Sequence, residues 1–128
     1  MLWADDSKSA WYRSEIKRQR VKIWNFGIIG AGLIADFHAR AIQSLPNARL
    51  AGICGTNDKK VKALSEKYNC RSFSGSEELL SFPAIDIVTI ATPSGAHMEP
   101  VIHAASHGKH VICEKPLEIS LDRIDRMI

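Results

Sequence analysis

The stretch Gly30-x-Gly32-x-x-Ala35 constrains this chain most, because it ends an apolar run and opens a helical pattern. Residues 23–29 are apolar without clean alternation, as expected of a parallel strand covered on both faces. Beyond the turn, Leu33, Ile34, Phe37, Ala41, Ile42 and Leu45 recur at three- and four-residue spacing and predict one apolar helix face. Each small residue of the turn has a physical task. Gly30 lets the chain turn tightly, Gly32 lets backbone approach a pyrophosphate, and Ala35 lets helix and strand pack closely. The helix start at Leu33 and Ile34 offers unpaired N–H groups and a positive dipole end to an anion. A tight strand-to-helix turn with no ligand is the competing reading of so short a motif.

Strand and helix patterns then alternate. Pro46 and Asn47 break the first helix, and residues 49–54 read as a second strand, followed by the turn Gly55-Thr56-Asn57. Asp58 is placed to cap a helix to about Tyr68 with Val61, Leu64 and Tyr68 inward. Residues 70–73 form a short third strand, and Ser74 with Glu77 has the spacing of a capping box for a short helix through Leu80. The β-branched run 85–91 predicts a buried strand with Thr92 to His97 as its exit loop. A helix over about 96–107 turns Met98, Val101, Ile102 and Ala105 inward and ends at Gly108. Residues 110–113 make the next strand, Glu114-Lys115-Pro116 leaves its carboxyl end, and Ser120 caps a last helix over 121–128. Such alternation implies an α/β fold with a doubly wound parallel sheet in three α/β/α layers, a Rossmann-type dinucleotide-binding fold.

Composition narrows the function classes. The 128 residues are 45% hydrophobic and 24% charged, which is ordinary for a globular domain with a real core and short for a two-domain enzyme. A net charge of +3, with no basic stripe interleaved with aromatics after residue 22, argues against nucleic acid as a partner. No apolar stretch has the length of a membrane span, so no membrane partner is expected. Cys54, Cys70 and Cys113 are odd in number and widely spaced, which fits a reducing cytoplasm better than a disulfide framework. Residues 1–20 differ in character, with acids first and then Arg13, Lys17, Arg18 and Arg20 around Trp11, Tyr12 and Ile16. They read as a solvated N-terminal extension to a domain over 21–128, with a short packed helix or a polyanion-binding cluster as alternatives.

His103 and His107 lie one helical turn apart with His110 nearby, a spacing that zinc can use. No carboxylate or cysteine completes a recognisable zinc signature, so no metal site is assigned and the three are expected to be half-exposed helix and strand-start residues.

Four pieces in order, Gly27-Ile-Ile-Gly-Ala-Gly-Leu-Ile-Ala35, Ala63-Leu-Ser-Glu-Lys-Tyr68, Ile90-Ala-Thr-Pro-Ser-Gly-Ala-His97 and Gly108-Lys-His-Val-Ile-Cys-Glu-Lys-Pro-Leu117, resemble the Gfo/Idh/MocA oxidoreductases. That resemblance implies hydride transfer between NAD(P) and a hydroxyl carbon of a sugar, polyol or related compound. It implies that Lys115 holds the substrate hydroxyl and assists proton transfer, and that Glu114 lies beside the nicotinamide ribose. Ala91, Thr92, Pro93 and His97 would pass along the other side of the cofactor. For His97 a contact to the 114–116 loop and a structural hydrogen bond stand as alternatives. Independently, open α/β sheets bind ligands beyond the carboxyl ends of their strands, where Gly30, Gly55, Thr92 and Glu114 converge, and Lys115 there is suited to exchanging a proton under a cofactor.

Two departures from the family are visible. The substrate domain, with the usual oligomer interface, has no counterpart in these residues, so the chain reads as a truncated product, an excised domain or half of a split enzyme. A non-catalytic NAD(P) sensor or docking module is the alternative function. Secondly, Gly55 stands where an acid normally holds the adenosine ribose, with Thr56 and Asn57 after it and Lys59 and Lys60 close by. This predicts a moderate preference for NADP with dual use possible. The alternative is that Gly55 only serves the turn and Asp58 takes the ribose.

Overall fold

The computed structural model describes residues 21–128; the expected N-terminal extension at 1–20 lies outside them. Among the described residues five strands alternate with five helices: β1 (Trp24–Ile29), α1 (Leu33–Ser44), β2 (Ala48–Cys54), α2 (Asp58–Lys67), β3 (Arg71–Ser72), α3 (Ser76–Leu80), β4 (Ile87–Ile90), α4 (Met98–Ser106), β5 (His110–Cys113) and α5 (Leu121–Met127). All pairings are parallel and the spatial order is β3-β2-β1-β4-β5, so β1 is central and β5 forms one outer edge. The doubly wound sheet expected from the alternation is the observed one.

Two apolar clusters cover the two sheet faces. Phe26, Ile28, Leu50 and Ile53 meet Ala35, Ala39 and Ile42 of α1 and Leu64 of α2 on one side. Ile29, Cys54, Val88 and Ile90 meet Leu79 and Leu80 of α3 and Val101 and Ala104 of α4 on the other. Regular alternation would put Leu50 and Ile53 on opposite faces. A register shift between Phe26 and Gly27 of β1, which pair with Leu50 and Gly52, absorbs Ala51 and returns both side chains to one core.

The side of α1 that faces the sheet is not the one its large apolar residues predict. Ala35 and Ala39 are fully buried, whereas Leu33, Ile34, Phe37, Ala41 and Leu45 are exposed. Only Ile42 of the expected face is in the core. Small residues let α1 lie close to β1, and that close approach outranks side-chain size. In α4, similarly, Met98, Val101 and Ala104 are buried while Ile102 and Ala105 face outward. Val61, Leu64 and Tyr68 point inward as expected, and the Tyr68 hydroxyl donates to Asp36 Oδ1 at 2.6 Å, tying α2 to α1.

Two caps also differ. Asn57, not Asp58, caps α2 by accepting from the Lys60 N–H at 3.1 Å. Glu78, not Glu77, reaches back to Ser74, accepting from its N–H and hydroxyl at 2.7 and 2.8 Å. Gly75 is the α3 N-cap, which moves the reciprocal acid one position along. Among the described residues no helix is long and apolar enough to cross a membrane.

Candidate cofactor site

Because every strand is parallel, all carboxyl ends open on one edge of the sheet, and a groove of about 980 Å³ runs along it. Gly30, Gly32, Leu33, Ile34, Gly55, Thr56, Asn57, Ala91, Thr92 and Pro93 all line it. Asp58 and Lys60 line it as well; Lys59 does not.

The two glycines of the first turn do different work. Gly30 has φ of +119°, and a Cβ on it would lie 2.4 Å from the Ala91 carbonyl oxygen, so only glycine fits between β1 and the end of β4. Gly32 is extended and its Cβ would meet nothing within 4 Å. The space above Gly32 is therefore open to a ligand that touches backbone, and no side chain caps the helix that starts at Leu33. A pyrophosphate fits this cradle: an open approach at Gly32 with a helix N-terminus aimed into it. Gly55 is packed between Ala31 and Val61, its Cβ position 3.3 Å from Ala31 Cβ and 3.2 Å from Val61 Cγ2.

At the other end of the sheet edge, the loops after β4 and β5 are locked together. His97 is buried, with Nδ1 2.8 Å from the Pro116 carbonyl oxygen and Nε2 2.9 Å from that of Thr92. Of the roles weighed for it, the structure gives His97 the structural contact to the loop after β5; its ring does not line the groove. Glu118, which sequence reasoning missed, completes the lock. It is buried and accepts from the N–H groups of His97, Met98 and Ile119 at 3.2, 2.9 and 2.8 Å, with the Arg123 guanidinium at 3.3 Å. Burial works to raise its pKa. The N–H donors and Arg123 outweigh that and bring it down to about 2.

Glu114 and Lys115 follow β5 and are not among the residues that line the groove. His38 of α1, also missed, lies with Nε2 2.6 Å from Glu114 Oε1. This contact holds the Glu114 carboxyl below its usual range, with Lys115 adding a smaller effect. Lys115 is exposed, and its ammonium makes no hydrogen bond or ion pair among the described residues. Away from the groove, Glu77 of α3 meets His103 of α4 and His107, the C-cap of that helix, while His110 packs edge-on to Trp24. The carboxylate absent from the local sequence is thus supplied by the fold. The thiols of Cys54 and Cys70 are pushed up by burial to about 12 and about 11, which disfavours the nucleophilic thiolate form of each.

Comparison with known proteins agrees with this geometry. Glucose-6-phosphate 3-dehydrogenase of Bacillus subtilis is 37% identical over 101 residues, covering 79% of this chain and 28% of that enzyme. Myo-inositol 2-dehydrogenase of Thermotoga maritima is 34% identical over 103 residues, covering 80% of this chain and 31% of its own length. The chain therefore spans less than a third of these curated relatives. Among solved structures, the WlbA dehydrogenase from Bordetella pertussis, in complex with NADH and UDP-GlcNAcA, superimposes with a TM-score of 0.77 at 36% identity, over 83% of this chain and 32% of that one. A family model described as "Oxidoreductase family, NAD-binding Rossmann fold" matches residues 24–128, and the chain belongs to that GFO_IDH_MocA family.

Proposed function

We propose that residues 21–128 are the dinucleotide-binding domain of an enzyme that moves a hydride between NAD(P) and a hydroxyl carbon of a sugar or polyol. The open cradle at Gly32, beside a groove along the strand ends, is the observation that carries this reading. Backbone at Gly30 and Gly32 with the first N–H groups of α1 holds the pyrophosphate, and Thr92 and Pro93 flank the cofactor further along. When bound, the nicotinamide ring supplies the hydride acceptor or donor. Lys115 holds the substrate hydroxyl and exchanges its proton, a role its exposed side chain after β5 leaves it free to take. The substrate pocket is completed by a further domain, as the short coverage of the relatives suggests, and that domain also carries the oligomer interface.

For the adenosine end we propose use of both cofactors with a moderate preference for NADP. Gly55 brings no carboxylate to the ribose, while Thr56 and Lys60 line the groove there. The Asn57 side-chain oxygen is committed to its cap, so the amide contributes less than its position suggests. Asp58 is the acid that works against the preference. Calorimetric titration of the protein with NAD, NADH, NADP and NADPH tests both parts. Binding of none of the four defeats the cofactor assignment, and much tighter NAD than NADP at low salt defeats the preference.

A further inference from the structure

We propose that Glu77, His103 and His107 form a surface site for a divalent transition-metal ion of the zinc class, clipping α3 to α4. The three ligand atoms lie within 4.8 Å of one another. His103 Nε2 is 2.8 Å from Glu77 Oε2, and His107 Nε2 is 3.4 Å from Glu77 Oε1. A tetrahedral ion bound at about 2.0–2.1 Å sets its ligand atoms about 3.3–3.4 Å apart, so the triad closes on such an ion with small side-chain adjustments. The histidines stand four residues apart on one helix face, the spacing that lets two imidazoles share one ion.

The hydrogen bonds around the triad favour a cation. His107 Nδ1 is 2.9 Å from the His103 carbonyl oxygen, which only an Nδ1–H can satisfy. A neutral His107 ring therefore aims its Nε2 lone pair at a carboxylate oxygen, placing two acceptors face to face. An ion between them relieves that arrangement. The same Nδ1–H bond fixes the ring orientation, as an outer partner does for a metal-bound histidine. On the other ligand, the Ser81 hydroxyl donates to Glu77 Oε1 at 3.0 Å and orients the carboxylate. Three protein ligands leave one position open, and imidazole with carboxylate suits zinc, cobalt or nickel better than calcium or magnesium. None of the three residues lines the cofactor groove, so the site is separate from the chemistry proposed above.

Untagged protein is titrated with Co²⁺ by visible absorption, followed by displacement with Zn²⁺, and with Zn²⁺ by calorimetry. The same titrations are run on His103→Ala, His107→Ala and Glu77→Gln, each checked for folding by circular dichroism. One equivalent should bind the wild type, each substitution should weaken binding by about tenfold or more, and Zn²⁺ should raise the wild-type Tm but not that of the histidine variants. Absence of binding, which would mean a proton-bridged cluster only, overturns the proposal. So does affinity retained in all three folded variants, which would place the metal on cysteines or other histidines.

Discussion

His38 Nε2 lies 2.6 Å from Glu114 Oε1, joining the second turn of α1 to the exit of β5 across 76 residues of sequence. The contact fixes the carboxylate next to Lys115 and is the main cause of its lowered pKa. His38→Ala should let the Glu114 carboxyl rise toward the ordinary 4.5. Side-chain carboxyl NMR titration of wild type and variant measures this directly, and an unmoved titration would show that His38 does not hold Glu114.

The two glycines of the turn after β1 should separate stability from binding. Gly32→Val should keep the fold, with stability changed by about 0.5 kcal/mol or less, because a Cβ at this position meets no protein atom within 4 Å. It should abolish dinucleotide binding by filling the cradle. Gly30→Ala should instead destabilise by roughly 1 to 3 kcal/mol, since it forces Cβ onto the Ala91 carbonyl at a positive φ. Urea denaturation with NADH fluorescence titration reads both. Unchanged NADH affinity in folded Gly32→Val rejects the site.

Lys115 is best tested in a form of the protein that carries the substrate domain. Lys115→Ala should lower kcat far more than it weakens the cofactor, because its proposed contact is to the reacting hydroxyl. Surviving turnover with poorer nucleotide binding would make it a cofactor contact.

Much of this architecture is readable from residue pattern, and the misses share a cause. The turn at Gly30 and the strand at residues 110–113 are local features, written in adjacent residues, and both are found where expected. The buried side of α1 is not local: it depends on how closely the helix approaches β1, and Ala35 and Ala39 decide it against Leu33 and Phe37. Glu118 and His38 act on partners 20 and 76 residues away, and no spacing rule links such pairs. The neighbourhood of Asn57 and Asp58 offered two good N-cap residues in a row, and pattern alone does not choose between them.

Acid should expose the role of Glu118. Its folded pKa of about 2 lies below the unfolded carboxyl value of about 4.3. The unfolded chain therefore binds a proton first, and the stabilisation is complete above the unfolded value and lost as pH falls through the folded one. Glu118→Gln should be less stable than wild type at neutral pH, and the gap should narrow between about pH 5 and about pH 2. Denaturation midpoints across that range check it; a constant gap would mean that Glu118 acts through shape and not charge.

Lys60→Ala should weaken NADP binding and leave NAD nearly unchanged, costing about 1.5 to 3 kcal/mol if the ammonium meets a 2′-phosphate. Gly55→Asp should move selectivity toward NAD, with some loss of stability from its tight neighbours Val61 and Ala31. Equal effects of Lys60→Ala on both cofactors would argue against a phosphate contact.

The place of β5 at the rim of the sheet carries a further consequence. Among the described residues its only strand partner is β4, so one row of its backbone amides and carbonyls faces outward beside the half-exposed Ile112. Such a rim is a template for hydrogen bonding by any extended segment that reaches it, from elsewhere in a longer polypeptide or from a second molecule. A segment that covers this rim would therefore remove one route by which copies of the domain associate.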